Sequence, residues 1–268
     1  MQFLPASPKQ RLRGTVSRLA LVAALAACLG ACAAKPNKAD ITGSIQNPFR
    51  PADTDPRAAV TRLAEEYRQH PANPEIAVSY AQALRRTEQQ AQAVAVLQQA
   101  TIKNPTHKGL LAEYGRALAE SGSLQQALEV LGRAHTPDQP DWRILNAQGA
   151  IHDQLGNYKD ARRYYNTALK MVPDEPAVLS NLGLSYILSK ELKQAEITLR
   201  RAAANPRAEK RVRQNLALSL ALQGKFEEAE KIAAGDLPPE EASANIAALR
   251  DMIRDQEQRP RTTPRRRS

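Results

Sequence analysis

Small residues recur at a fixed interval along most of this 268-residue chain. They stand 34 residues apart, at Ala81, Gly115, Gly149, Gly183 and Ala217. An alanine follows twelve residues after each of them, at Ala93, Ala127, Ala161, Ala195 and Ala229. Apolar residues at helical spacing surround both series, which predicts two amphipathic helices in every 34-residue unit. Because a unit of this size cannot bury its apolar face alone, we expect five helical hairpins to stack into an all-α solenoid over residues 74–236.

Helical patterns also flank these five units. Ala59, Leu63 and Pro71 stand one interval before their counterparts in the first unit, which predicts an N-terminal half-repeat helix within residues 57–73. Within residues 237–258, apolar residues follow one helical stripe: Ala242, Ile246, Leu249 and Ile253. We expect this last helix to cap the open end of the solenoid, because exposed end faces of a repeat stack need a polar cover.

The third unit carries the clearest motif. After Gly149 come Gly156 and Tyr158 at the predicted turn, and then Ala161, Tyr165, Ala168 and Pro173. This pattern resembles the 34-residue tetratricopeptide repeat. The resemblance implies a superhelix of about five hairpins whose concave surface binds protein partners. The fifth unit departs from the pattern, with Arg213 in place of a large apolar residue and Asp236 in place of an alanine.

The N-terminus has the pattern of a bacterial export signal, predicted over residues 1–31. Four basic residues precede an apolar run at 19–29, which is too short to cross a bilayer. Residues 29–32, Leu-Gly-Ala-Cys, resemble the lipobox of bacterial lipoproteins, which implies acylation of Cys32 after cleavage of the signal. Cys28 ends a similar motif and is the alternative lipidation site. Since Ala33 and not an aspartate follows Cys32, the resemblance implies a lipid anchor in the outer membrane, on its periplasmic face.

The net charge of +10 lies at the two ends of the chain. Residues 32–258 hold 29 basic and 28 acidic residues, so the predicted folded part is nearly neutral. A globular nucleic-acid-binding protein would carry its excess positive charge on its folded surface. We therefore exclude nucleic-acid binding as the function. Polar, proline-bearing residues 32–56 are predicted to form a flexible tether, and residues 259–268 a disordered basic tail.

Catalytic and metal-binding patterns are missing from the sequence. The only two cysteines lie at the end of the export signal, and four scattered histidines form no ligand motif. There is also no glycine-rich phosphate loop and no nucleophile elbow. We therefore expect no enzyme activity, metal, cofactor or small-molecule substrate, and we expect His152 to be a packed histidine.

The first helix of each repeat is expected to line the concave groove. Its predicted polar middle consists of Arg116, Arg143, Asn146 and Asp153. Further along, a predicted apolar stretch bordered by amides consists of Leu184, Ile187 and Leu218 beside Asn181, Gln214 and Asn215. An exposed apolar patch of this kind suits a peptide or a partner helix. Alternatively, some of these leucines pack against the capping helix, and the groove is then confined to repeats two to four.

Several segments are more specific than the repeat pattern. They resemble the tetratricopeptide lipoproteins of tight-adherence (Tad, Flp-type) pilus systems, the TadD family, at residues 142–150, 173–176, 179–186, 212–217 and 236–242. This resemblance implies a role in assembling the pilus secretion apparatus, with the outer-membrane secretin as a partner. The alternatives are a pilot or envelope adaptor of another secretion system, or an accessory subunit that recruits cell-wall enzymes.

Overall fold

The computed structural model describes residues 55–258, so the predicted export signal with Cys28 and Cys32, nearly all of the tether and the basic tail lie outside the described residues. Within 55–258 the chain forms twelve α-helices and no β-strand. Their bounds are α1 Pro56–Gln69, α2 Pro74–Arg86, α3 Gln90–Lys103, α4 Lys108–Glu120, α5 Leu124–Ala134, α6 Trp142–Gln154, α7 Tyr158–Met171, α8 Pro176–Leu188, α9 Leu192–Ala203, α10 Lys210–Leu222, α11 Phe226–Ala233 and α12 Pro239–Gln258.

The helices pair as successive antiparallel hairpins. From α2 to α11 they form five hairpins, and each hairpin packs on the next one along the chain. α1 is the predicted half-repeat and packs on α2, while α12 packs on the fifth hairpin. The predicted all-α solenoid is therefore confirmed. No helix in the part of the chain described here is both long enough and apolar enough to cross a lipid bilayer.

Capping residues set where several helices begin. The side chains of Asp55, Asn73 and Asp141 accept hydrogen bonds from backbone N–H groups in the first turns of α1, α2 and α6. Such caps satisfy donors that have no partner inside the helix. At the other end, α3 stops at Lys103, before Pro105, because the residue ahead of a proline avoids helical geometry.

The turn inside each hairpin has one residue in the left-handed region of backbone conformation. These residues recur every 34 positions, at Glu88, Gly122, Gly156, Lys190 and Gly224. Three are glycines, which adopt a positive φ without steric cost. Glu88 and Lys190 do so at φ values of 62° and 66°, so the hairpin geometry overrides their preference.

The small residues lie where the two helices of a hairpin meet. Gly149 contacts the ring of Tyr165, sixteen residues later, and a methyl group added to Gly149 would lie 2.5 Å from Cε1 of that ring. Gly115 and Gly183 oppose Leu131 and Leu199 in the same way. A glycine in the first helix therefore lets a large side chain of the second helix pack directly against its backbone.

The two departures in the fifth repeat compensate each other. Arg213 donates to both carboxylate oxygens of Asp236, with Nε–Oδ2 and Nη2–Oδ1 distances of 2.7 and 2.6 Å. It also donates to the carbonyl oxygen of Ala208. In the fourth repeat the corresponding residues, Leu179 and Ala202, share one apolar cluster. An ion pair thus replaces an apolar contact in the last repeat, next to the capping helix.

Candidate functional site

Arg116, predicted to lie in the polar middle of the groove, is buried. It belongs to a cluster of two arginines and two glutamates that joins the first two repeats. Arg116 donates to Glu113 within α4 at 3.2 Å, and Arg85 of α2 also donates to Glu113. Arg85 Nε further donates to Glu120 Oε2 at 2.6 Å. Because the four charges balance, the cluster fixes one repeat against the next and does not present a charged surface.

Asn146 and Asn181, both predicted groove residues, bond to each other across neighbouring repeats. Asn181 Nδ2 donates to Asn146 Oδ1 at 3.0 Å, and both residues are buried. Asn215 Nδ2 donates to Ser180 Oγ in the same way, also at 3.0 Å. The partners are 35 residues apart in both pairs, so these polar contacts form a ladder between successive first helices.

Asp153 is buried at the junction of α6, α7 and α8. Its carboxylate accepts hydrogen bonds from Ser185 Oγ at 2.6 Å and from Tyr165 Oη at 2.8 Å. Burial raises the pKa of Asp153 to about 6, although both hydrogen bonds and the nearby charge of Arg162 act to lower it. The same environment raises the pKa of Tyr165. Asp153 therefore holds the third and fourth repeats together, and its carboxylate is largely shielded from solvent.

The predicted exposure of Ile187 and Leu218 is wrong. Leu218 is 1% exposed and Ile187 is 3% exposed, and both belong to one apolar cluster with Ile246 and Leu249 of α12. These apolar residues of the groove pack against the capping helix, as in the alternative left open by the sequence, although Gln214 of the fifth repeat stays partly accessible. Leu184 lies at the margin of the same cluster and is only half-buried.

The remaining predicted groove residues are accessible to different degrees. Arg143 is exposed, and its guanidinium lies over the Trp142 ring at 4.6 Å from the ring centroid. Gln214 and Asn215 are half-buried, and a cavity beside Gln214 has a volume of about 10 Å³, enough for one water molecule. Arg143, Leu184 and Gln214 form what we call the accessible groove set. Whether these residues bind a partner stays a prediction.

His152 lies half-buried against Tyr164, with ring centroids 5.1 Å apart. Desolvation by this burial lowers the pKa of its imidazole, and its Nδ1 has no hydrogen-bond partner. This is the environment of a packed histidine. Among the described residues, no group of three or more histidine, cysteine, aspartate or glutamate side chains is arranged to hold a metal ion.

Sequence reasoning gave no role in this region to five residues that build it: Arg85, Glu113, Glu120, Tyr165 and Ser185. A usable signal was present, because Arg85 and Glu120 are also 35 residues apart. Searching for complementary polar residues one repeat plus one position apart would have found the ladder and assigned it to contacts between repeats.

Known proteins share this architecture. Tetratricopeptide-repeat models match residues 52–108 and 146–210 with one model and residues 87–149 with a second. No curated protein sequence matches the chain. Among solved structures, the APC/C hetero-tetramer Cut9–Hcn1 is 14% identical with a TM-score of 0.62, over 76% of this chain and 40% of that chain. A thermophilic tetratricopeptide-repeat protein of Thermus thermophilus is 21% identical with a TM-score of 0.55, over 62% of this chain and 90% of that chain.

The structural likenesses show the fold alone, and this chain spans less than half of the Cut9–Hcn1 chain. Tetratricopeptide repeats are in general non-catalytic scaffolds that bind protein partners. Because the two repeat models together span residues 52–210, and because five hairpins stack in the register that the repeat requires, the chain belongs to the tetratricopeptide-repeat family.

Proposed function

We propose that this protein is a lipid-anchored scaffold on the periplasmic face of the outer membrane. It binds a protein component of a Tad/Flp-type pilus secretion apparatus, and we expect the outer-membrane secretin to be that partner. One observation carries the proposal: a lipobox-like motif ending at Cys32 and a stack of partner-binding repeats occur in the same chain. The TadD-like segments, including residues 142–150 and 236–242, support the assignment to a pilus system.

The accessible groove set marks where we expect the partner to bind. Arginine and tryptophan are enriched among residues that dominate binding energy, and the stacked pair Trp142 and Arg143 presents both at the start of α6. Leu184 and Gln214 supply apolar contact and an amide further along the groove. The buried polar ladder between repeats keeps these side chains at a constant spacing.

Replacing the acylated cysteine tests the anchor. We expect Cys32→Ala to move the protein from the membrane fraction to the soluble periplasmic fraction, because several acyl chains provide nearly all of the membrane affinity. If Cys28→Ala releases the protein and Cys32→Ala does not, Cys28 is the acylated residue. If the double variant, with both cysteines replaced by alanine, also stays in the membrane fraction, the proposal of a lipid anchor is wrong.

Crosslinking and pull-down from piliated cells test the partner. We expect Arg143→Glu and Leu184→Asp each to reduce capture of the secretin at least tenfold, on the order of 1.4 kcal/mol. Ile197→Asp is the matched control, because Ile197 is 63% exposed on α9 and lies outside the groove. Far-ultraviolet circular dichroism must be unchanged in all three variants. Capture of cell-wall enzymes or of another secretion system in place of pilus components would contradict the proposal.

A further inference from the structure

The exposed side of α3 lacks charge almost completely. Six exposed residues form what we call the α3 outer face: Ala91, Gln92, Ala95, Gln98, Gln99 and Ile102. Ile102 is 68% exposed, which is the largest exposure among the large apolar residues described. The one charged residue in this 14-residue helix is Lys103, at its last position. Surface helices normally carry charged residues on the side that faces water.

The repeat architecture does not require this composition. In α7, two repeats later in the same register, Ala91 corresponds to Lys159, Ala95 to Arg163 and Ile102 to Lys170, and all three of these basic residues are exposed. The same place on the solenoid therefore accepts charged side chains. The absence of charge is a property of α3 and not of second helices in general.

The spacing within the α3 outer face fits helix-to-helix packing. Ala91, Ala95, Gln98 and Ile102 are separated by four, three and four residues, which is the spacing of a coiled-coil seam. If a second α3 lies antiparallel to the first, Ala91 faces Ile102 and Ala95 faces Gln98. Each small side chain then meets a large one, so the helices can approach evenly along about three turns. A parallel pair would place Ile102 against Ile102 and leave a gap between the alanines.

We propose that the α3 outer face binds the same face of a second copy of this chain, with the two α3 helices antiparallel about a two-fold axis. A face without charge offers nothing to a partner selected by charge, whereas a second copy of the same face supplies a small side chain opposite each large one. A symmetric contact uses one patch on both copies, and this patch complements itself in side-chain size. The first helices remain free, so a dimer presents two grooves.

The contact area indicates a weak dimer. One pair of 14-residue helices buries less than the roughly 1,200–2,000 Å² of a stable interface. We therefore expect association that depends on protein concentration. Attachment of both copies to one membrane would favour it by raising the local concentration, but the contact itself does not depend on the proposed anchor or pilus role.

Sedimentation equilibrium of the full chain in a mild detergent tests the dimer over a roughly hundredfold concentration range. We expect reversible dimerisation, and we expect Ile102→Lys to raise the dissociation constant at least tenfold. Ile197→Lys is the matched control, because Ile197 is 63% exposed on α9 and lies beside charged residues. It should leave the dissociation constant unchanged. A chain that stays monomeric throughout, or that responds equally to both substitutions, overturns the proposal.

A charge-pair experiment tests the antiparallel arrangement. Ala95→Glu or Gln98→Lys alone should weaken the dimer, because each copy then places a charge of the same sign beside the two-fold axis, opposite a neutral side chain. The double variant should restore dimerisation to within about threefold of the original dissociation constant, because each glutamate then faces a lysine of the other copy. Failure of the double variant to recover, with unchanged circular dichroism, overturns this pairing.

Discussion

Substitution of Gly149 by alanine tests the closest contact inside a hairpin. The added methyl group would lie 2.5 Å from Cε1 of Tyr165 and 2.8 Å from two further ring carbons. Because carbon atoms pack at about 3.5–4 Å, the facing groups must separate by about 1 Å. The ring cannot swing away freely, since Tyr165 is fully buried and its hydroxyl donates to Asp153. Overpacking of this kind costs about 1–3 kcal/mol, and we expect Gly149→Ala to lower the free energy of unfolding by that amount.

Gly132 provides the matched control. It lies in α5, is exposed, and a methyl group placed there would meet nothing within 4 Å. Gly132→Ala should raise the free energy of unfolding by about 0.5–1 kcal/mol, because alanine restricts the unfolded chain and favours helix. Urea unfolding followed by circular dichroism measures the free energy of unfolding of both variants. If Gly149→Ala unfolds at the same urea concentration as the original chain or a higher one, while Gly132→Ala stabilises, the close contact does not limit packing.

Three more outcomes follow from single contacts. Arg213→Leu or Asp236→Ala alone should lower the free energy of unfolding in urea by about 2 kcal/mol. The double variant should recover most of this loss, because it restores an apolar pair like Leu179 and Ala202 of the fourth repeat. Because the pKa of Asp153 is raised from 3.8 to about 6, the folded state binds its proton more tightly, so the free energy of unfolding should fall as pH rises between these values. Asp153→Asn should flatten this part of the pH profile. Lys190→Gly should raise the urea midpoint, since relief of a positive φ contributes about 1 kcal/mol.

Each of these can fail separately. A double variant no more stable than its single variants would mean that Arg213 and Asp236 do not act as a pair. A pH profile that is unchanged by Asp153→Asn would assign the titration to other groups. A lower urea midpoint for Lys190→Gly would mean that the Lys190 side chain contributes more than the turn geometry costs.

The hairpins and their order were predictable because their information is local. Side-chain size and spacing decide which residues form a helix and which face is apolar, and the 34-residue interval of Gly149 and its counterparts can be read from the sequence. Helices α1 and α12 also lie within or next to segments in which apolar residues at helical spacing predicted a helix. The pairing of Arg213 with Asp236 was within reach of the sequence, since both residues depart from the repeat pattern in the same repeat and carry opposite charges.

Accessibility in the groove was not predictable in this way. Arg116 and Asp153 occupy groove positions within their own repeats, but both are buried. Arg116 bonds to Glu113 of its own helix, and Asp153 accepts a hydrogen bond from Ser185 of the next repeat. Leu218 is buried in a cluster that includes residues of α12. In a single sequence, the position of a residue within its repeat indicates only which face of the helix its side chain occupies. How close the next first helix lies depends on the summed packing of all the repeats, and that distance decides whether a side chain reaches solvent or a partner within the chain.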